Sequence, residues 1–138
     1  MKKLIFEDLT YKVRGICYKA HNELGRYRNE KQYCDYIEQE LKKEKLQYKR
    51  EYILPKSFEG ERIGRNRVDF IIENKLILEA KVVPSFSINI YRQCKRYLTS
   101  SNLRLLLLVN FFYEGVVIKR ILNTSMNEGK NNNISKSA

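Results

Sequence analysis

The sequence predicts an α/β fold, a mixed β-sheet flanked by helices in the order α-α-β-β-β-α-β-β. Three observations predict it. Apolar residues recur at spacings of three and four in the first third of the chain and again after Pro84, the mark of helices that bury one face. Short segments between and after them alternate polar and apolar residues, as strands covered on one side do. One run, Leu105 to Val109, is wholly apolar, as expected of a strand covered on both faces. Such a strand requires a layer above and a layer below it, which the helices supply.

The first helix should run from about Leu9 to Leu24, with Val13, Ile16, Cys17, Ala20 and Leu24 inward and Gly25 as the stop. A second begins near Glu30. Asn29 can cap it, and Gln32 stands at capping-box spacing. Its apolar stripe is Tyr33, Ile37 and Leu41, and Lys42, Lys43 and Lys45 suit the negative end of its dipole. Tyr48 to Leu54 alternates as a strand and ends at Pro55, and Phe58 to Glu61 reads as a turn. Arg67 to Ile72 and Lys75 to Val83 form two strands joined by a hairpin tip at Glu73-Asn74. After Pro84, Ser85 or Ser87 can cap a helix reaching about Thr99, with Ile90, Cys94 and Leu98 inward. Ser100 to Asn102 is read as a loop, Leu103 to Phe112 as the buried strand, Glu114-Gly115 as a turn, and Val116 to Leu122 as the last strand. Residues 1–122 are expected to form a single domain, and residues 123–138, rich in Asn and Ser, a disordered polar tail.

Composition narrows the partners. The formal net charge is +11, and the tail contributes only Lys130, Lys136 and Glu128. A small domain this basic points to a polyanion, either nucleic acid or an anionic membrane surface. No apolar run approaches the length of a membrane span. The N-terminus turns acidic after three apolar residues, so no signal peptide is expected. Three cysteines with no Cys-x-x-Cys pair argue for a reducing, cytoplasmic setting, with Cys17 and Cys94 as buried small apolar groups. A single histidine, His21, excludes a multi-histidine metal site.

The chemistry concentrates between Arg67 and Lys81. In the third strand Leu76, Leu78, Ala80 and Val82 share one face, and Glu79 and Lys81 the other. Asp69 lies on the preceding strand. A two-residue tip pairing Ile72 with Lys75 would set Asp69 opposite Leu78, on the wrong face. A three-residue tip or a bulge sets it opposite Glu79, and one of these is expected. Two carboxylates this close repel unless a hard cation lies between them. Mg²⁺ takes one or two carboxylates and several waters, leaving room for phosphate oxygens. Lys81 can then stabilise charge developing at phosphorus. The plainer alternative for these residues is a surface hairpin with a cross-strand salt bridge, contributing about 0–1 kcal/mol.

Asp69…Glu79-Ala80-Lys81 resembles the PD-(D/E)xK nuclease superfamily, whose restriction-endonuclease-like core has the order helix, three strands, helix, strand. Gln93-x3-Tyr97 resembles the Gln-x-x-x-Tyr pattern that follows the Glu-x-Lys strand in RecB-like branches. More narrowly, Leu9 to Gly15, His21 to Gly25, Val68-Asp69-Phe70, Leu78 to Lys81, Gln93 to Leu98 and Leu108 to Phe111 resemble the GxxExxR family, over about residues 8–122. Aligned on Glu30, that motif has Gly and Arg where this chain has Tyr27 and Tyr33. The resemblance implies Asp69, Glu79 and the Ala80 carbonyl as ligands of Mg²⁺ or Mn²⁺, Lys81 as the catalytic lysine, and Glu30 as a further acidic ligand. Glu30 is equally explained as an acid complementing a helix dipole. Gln93 would orient Lys81 or the attacking water, and Tyr97 would contact phosphate. Both also fit a half-buried helix face.

Arg92, Lys95 and Arg96 flank that pair, and Arg62, Arg65 and Arg67 lead into Asp69. Either group can neutralise a nucleic-acid backbone or form a solvated basic face. Arg26 and Arg28 beside Tyr27 suit stacking or phosphate contact. His21 reads as structural. The expected function is therefore metal-dependent phosphodiester hydrolysis of nucleic acid, DNA foremost. A catalytically silent nucleic-acid-binding module and an interaction subunit on the same fold are the competing readings. Superfamily resemblance also brings in branched DNA as substrate and a homodimer as an assembly.

Overall fold

The computed structural model describes residues 5–125. Its elements follow the expected order: α1 (Glu7–Leu24), α2 (Glu30–Lys43), β1 (Tyr48–Ile53), β2 (Arg67–Ile72), β3 (Leu76–Lys81), α3 (Ile88–Ser101), β4 (Leu105–Asn110) and β5 (Val117–Leu122). The strands form one sheet in the order β1-β2-β3-β4-β5. β3 and β4 run parallel and the other neighbours antiparallel. A parallel pair needs a long crossover, and α3 supplies it.

Local chemistry sets the boundaries. Gly25 ends α1 with φ 73°, a conformation without steric cost only for glycine. Asn29 and Gln32 form the reciprocal capping box that starts α2. Ser87 caps α3 by accepting from the Ile90 amide. That helix runs past Thr99 through both serines because Asn102, at φ 59°, takes the left-handed turn that stops it.

α1 and α2 cover one face of the sheet, packing on Phe70, Ile72, Leu78, Leu105, Leu107 and Val109. α3 covers the other, setting Cys94, Tyr97 and Leu98 against Ile77, Leu106 and Leu108. Every residue of β4 is buried, as its unbroken apolar run requires. The three cysteines are buried and unpaired. Among the described residues no helix is long and apolar enough to cross a membrane.

The expected tail does not begin at Asn123. Its side-chain amide donates to the Leu98 and Leu103 carbonyls, and its backbone N–H to that of Arg104. Asn123 is buried and fastens the end of β5 to the end of α3 and the turn that follows it. The remainder of the expected tail, residues 126–138, lies outside the described residues.

The segment between β1 and β2 folds around Glu61. This buried carboxylate accepts from the Ser57 N–H (2.6 Å) and hydroxyl (2.8 Å), Arg65 (2.7 Å) and Asn66 (2.8 Å). Burial pushes its carboxyl up, but these hydrogen bonds outweigh it and hold it down at about 2. The unfolded carboxyl titrates near 4.5, so the stability Glu61 contributes is present above that pH and is lost as pH falls from 4.5 towards 2. Denaturant melts of wild type and Glu61→Gln between pH 6 and 3 should therefore converge at the acid end. Parallel curves across that range would contradict this role.

Candidate active site

The β2–β3 hairpin has the three-residue tip that the site requires. Ile72 pairs with Leu76, Ile71 with Ile77, and Phe70 with Leu78. Glu73 and Asn74 take left-handed conformations (φ 56° and 54°), and the Lys75 N–H closes the turn onto the Ile72 carbonyl at 3.0 Å. One step further, this register sets Asp69 opposite Glu79. There side chains take over from the backbone ladder. The Asp69 N–H donates to Glu79 Oε1 at 2.6 Å, and the Ala80 N–H donates to Asp69 Oδ2 at 2.8 Å. The other flank of β2 is interrupted at the same level: Arg50 pairs with Phe70 and Tyr52 with Val68, while Glu51 between them adopts φ 51°. The sheet thus opens around Asp69, and the two acids interlock in the gap.

Lys81 emerges from β3 on the same side as Glu79. Its Nζ donates to Gln93 Oε1 on α3 at 3.2 Å, which limits where the ammonium can swing. Both side chains are half-buried. Behind them Asn110 at the end of β4 accepts from the Val83 and Phe112 N–H groups and donates to the Val83 carbonyl, fixing the exit of β3. Glu30, first residue of α2, lines a cavity of about 230 Å³ together with Cys34, Arg50, Arg67 and Asp69. The cavity reaches Asp69, whereas Glu79 is 4% exposed and lies deeper.

The electrostatics are those of a site short of positive charge. Burial, and then the neighbouring Asp69, push Glu79 well above the usual carboxylate range. Asp69 is raised by burial, against the opposing effects of the Ala80 N–H and Lys81. Glu30 is raised by burial too, with Lys81 lowering it and Asp69 raising it. Three carboxylates therefore share the field of one ammonium. Among the described residues neither Asp69 nor Glu79 takes part in an ion pair, so the surface salt-bridge alternative falls.

Among the described residues no group of three His, Cys, Asp or Glu side chains is placed to hold a metal ion. The donor set instead has an open character. Asp69 and Glu79 each spend one oxygen on a backbone N–H, leaving Asp69 Oδ1 and Glu79 Oε2, with Glu30 in the same cavity as Asp69. Oxygen donors from few carboxylates suit a hard divalent cation. Cys34 does not change this, since burial, reinforced by Asp69, pushes its thiol up and keeps it from being a thiolate ligand.

The other expected residues divide by placement. Arg67 reaches the cavity, and Arg92 is exposed on α3. Arg62 lines a different cavity with Leu54, Pro55 and Ile63. Arg65 is taken up by Glu61 (2.7 Å), and Arg96 donates to Asn66 at 2.7 Å. Lys95 donates to the Leu122 carbonyl, Arg26 to that of Phe112 and Arg28 to that of Leu24. Tyr97 follows the helix-face alternative rather than phosphate contact. It is 4% exposed and packs in the α3 core cluster, because its side of the helix faces the sheet. His21 is structural, with Nε2 2.9 Å from the Tyr113 carbonyl. Sequence reasoning missed Arg50, a half-buried cation lining the cavity beside Asp69 and held by Asp35 (2.7 Å) and Glu38 (2.8 Å). Its alternation with Tyr48 and Tyr52 in β1 was the available signal.

The fold and this constellation define a class of nuclease-like α/β proteins. The family model of the PD-(D/E)XK nuclease superfamily matches residues 7–121, and the chain belongs to that superfamily. Neither the curated proteins nor the solved structures compared with it include a match.

Proposed function

We propose that the chain is a divalent-metal-dependent nuclease that hydrolyses phosphodiester bonds in nucleic acid, DNA foremost. The observation that carries this reading is the interlock of Asp69 and Glu79 across the opened hairpin, with the Lys81 ammonium braced by Gln93 on the same face. Asp69, Glu79, Glu30 and the Ala80 carbonyl are the groups that would hold Mg²⁺ or Mn²⁺. When bound, the ion supplies a Lewis acid that polarises phosphate and makes water acidic. Lys81 directs positive charge at the phosphate oxygens, where negative charge grows during attack. Gln93 keeps it aimed, and Arg67 at the cavity wall binds the backbone. By superfamily analogy the products are a 5′-phosphate and a 3′-hydroxyl.

The narrower GxxExxR resemblance departs from its motif at two positions. Tyr27, where the motif has Gly, has φ 72°, a conformation that glycine enters freely. Tyr33, where the motif has Arg, is fully buried against Phe111, a place with no room for a guanidinium. Branched DNA as substrate and a homodimeric assembly rest on superfamily resemblance alone.

The test is cleavage of labelled single- and double-stranded DNA and RNA in Mn²⁺. Lys81→Ala should cut at least about 100-fold more slowly, the size of effect seen when a positioned charge-stabilising donor is removed. Equal cutting by wild type and variant would overturn the assignment. The depth of Glu79 favours one second reading, a binding module that no longer cuts. That reading predicts salt-dependent binding with no cleavage, and equal Mn²⁺ binding by wild type and Asp69→Ala.

A further inference from the structure

We propose that Tyr27 is a stacking platform for an unpaired nucleobase, so that the candidate active site prefers a strand with bases free of a duplex. This rests on the nuclease reading and deepens it by naming the substrate class.

Tyr27 is 87% exposed, the most open large apolar side chain among those described. Its backbone sits at φ 72°, a region that bulky residues rarely occupy and glycine enters freely. Backbone strain of this kind clusters at active sites and ligand clamps. The fold's own packing gives little reason for a tyrosine here: its ring contact is with Arg26, whose guanidinium lies 4.9 Å from the ring centre. That guanidinium also stands 5.7 Å from the Phe112 ring, and its Nε donates to the Phe112 carbonyl at 3.0 Å. Arg26 is thus clamped between two rings and braces the tyrosine from one side, leaving the rest of the ring open.

Tyr27 is joined to the candidate site through its neighbours on both sides. Glu30 follows it by three residues and shares a cavity with Asp69 and Arg67. On the other side, Phe112 adjoins Phe111, whose N–H bonds the Lys81 carbonyl at 2.9 Å. An open aromatic face beside a fixed cation, on a chain of net charge +11, matches the pairing of base stacking with backbone charge by which single strands are bound. A base within a duplex has both faces covered by its neighbours, so the platform serves one that is unstacked.

The full chain is titrated without divalent ion into a single-stranded oligonucleotide carrying 2-aminopurine, and into its duplex. Tyr27→Gly should bind the single strand roughly 5- to 150-fold more weakly, the loss of one base-stacking contact. It should lose the change in 2-aminopurine fluorescence, affect duplex binding much less, and melt at a higher temperature because glycine relieves the strained φ. Tyr27→Phe should behave as wild type. Unchanged single-strand affinity in Tyr27→Gly, or a lowered melting temperature, overturns the platform. Absence of Mn²⁺-dependent cleavage alongside Tyr27-dependent binding overturns the nuclease reading and leaves the platform standing.

Discussion

Replacing Glu79 by Gln is expected to stabilise the metal-free protein at pH 7–8 and to slow phosphodiester cleavage by about 100-fold or more. Glu79 is 4% exposed and faces another carboxylate, so its charge is unfavourable in the fold. The native carboxyl holds its proton to a higher pH than the unfolded one, which releases it near 4.5. Protons are thus bound more tightly by the native state, and stability falls as pH rises from 4.5 through the raised native value. Glutamine carries no charge and can still accept the Asp69 N–H. The gain should grow by up to about 1.4 kcal/mol for each pH unit between 4.5 and the raised native value. Denaturant melts in chelator at pH 4 and pH 8 check it: the variant should match wild type at the acid end and exceed it at the basic end. Mn²⁺ should raise the wild-type midpoint and leave the variant unmoved. Coincident midpoints at pH 8 would show that the buried charge costs the fold nothing.

Tyr33→Ala should destabilise the protein by about 3–5 kcal/mol, the cost of truncating a fully buried aromatic. The ring is completely enclosed and stacks on Phe111 at 4.2 Å between centres. Its hydroxyl donates to the Gly25 carbonyl at 2.5 Å, tying α2 to the turn that ends α1. Tyr33→Phe isolates that hydrogen bond and should cost about 0.5–1.5 kcal/mol. Tyr33→Arg should be at least as damaging as alanine, because a charge would enter the stack unpaired. Equilibrium unfolding of the three variants gives the order directly, and a stable Tyr33→Arg would remove the objection to the narrower family resemblance.

The element order was legible because each helix and strand carries its own period and its own stop. The hairpin register was legible by counting, since a two-residue tip without a bulge would set Asp69 on the wrong face. What sequence could not show was depth and long-range pairing. Tyr97 occupies a helical position that periodicity leaves half-exposed, and only the sheet beneath α3 decides that it is covered. Arg65 and Arg96 read as free cations until Glu61 and Asn66 are brought against them by the fold of the β1–β2 segment. Asn123 looks like tail because its partners, Leu98 and Leu103, come together only once α3 has turned into β4.

The left-handed kink at Glu51 has a second effect. β1 is an outer strand, and a long, flat outer strand invites another chain to add itself to the sheet. The kink interrupts β1 midway, and Lys49, Arg50 and Glu51 crowd that stretch with charge. The distortion that opens the sheet at Asp69 therefore also blunts its margin against edge-to-edge self-assembly, so resistance to aggregation and access to the acids share one backbone feature.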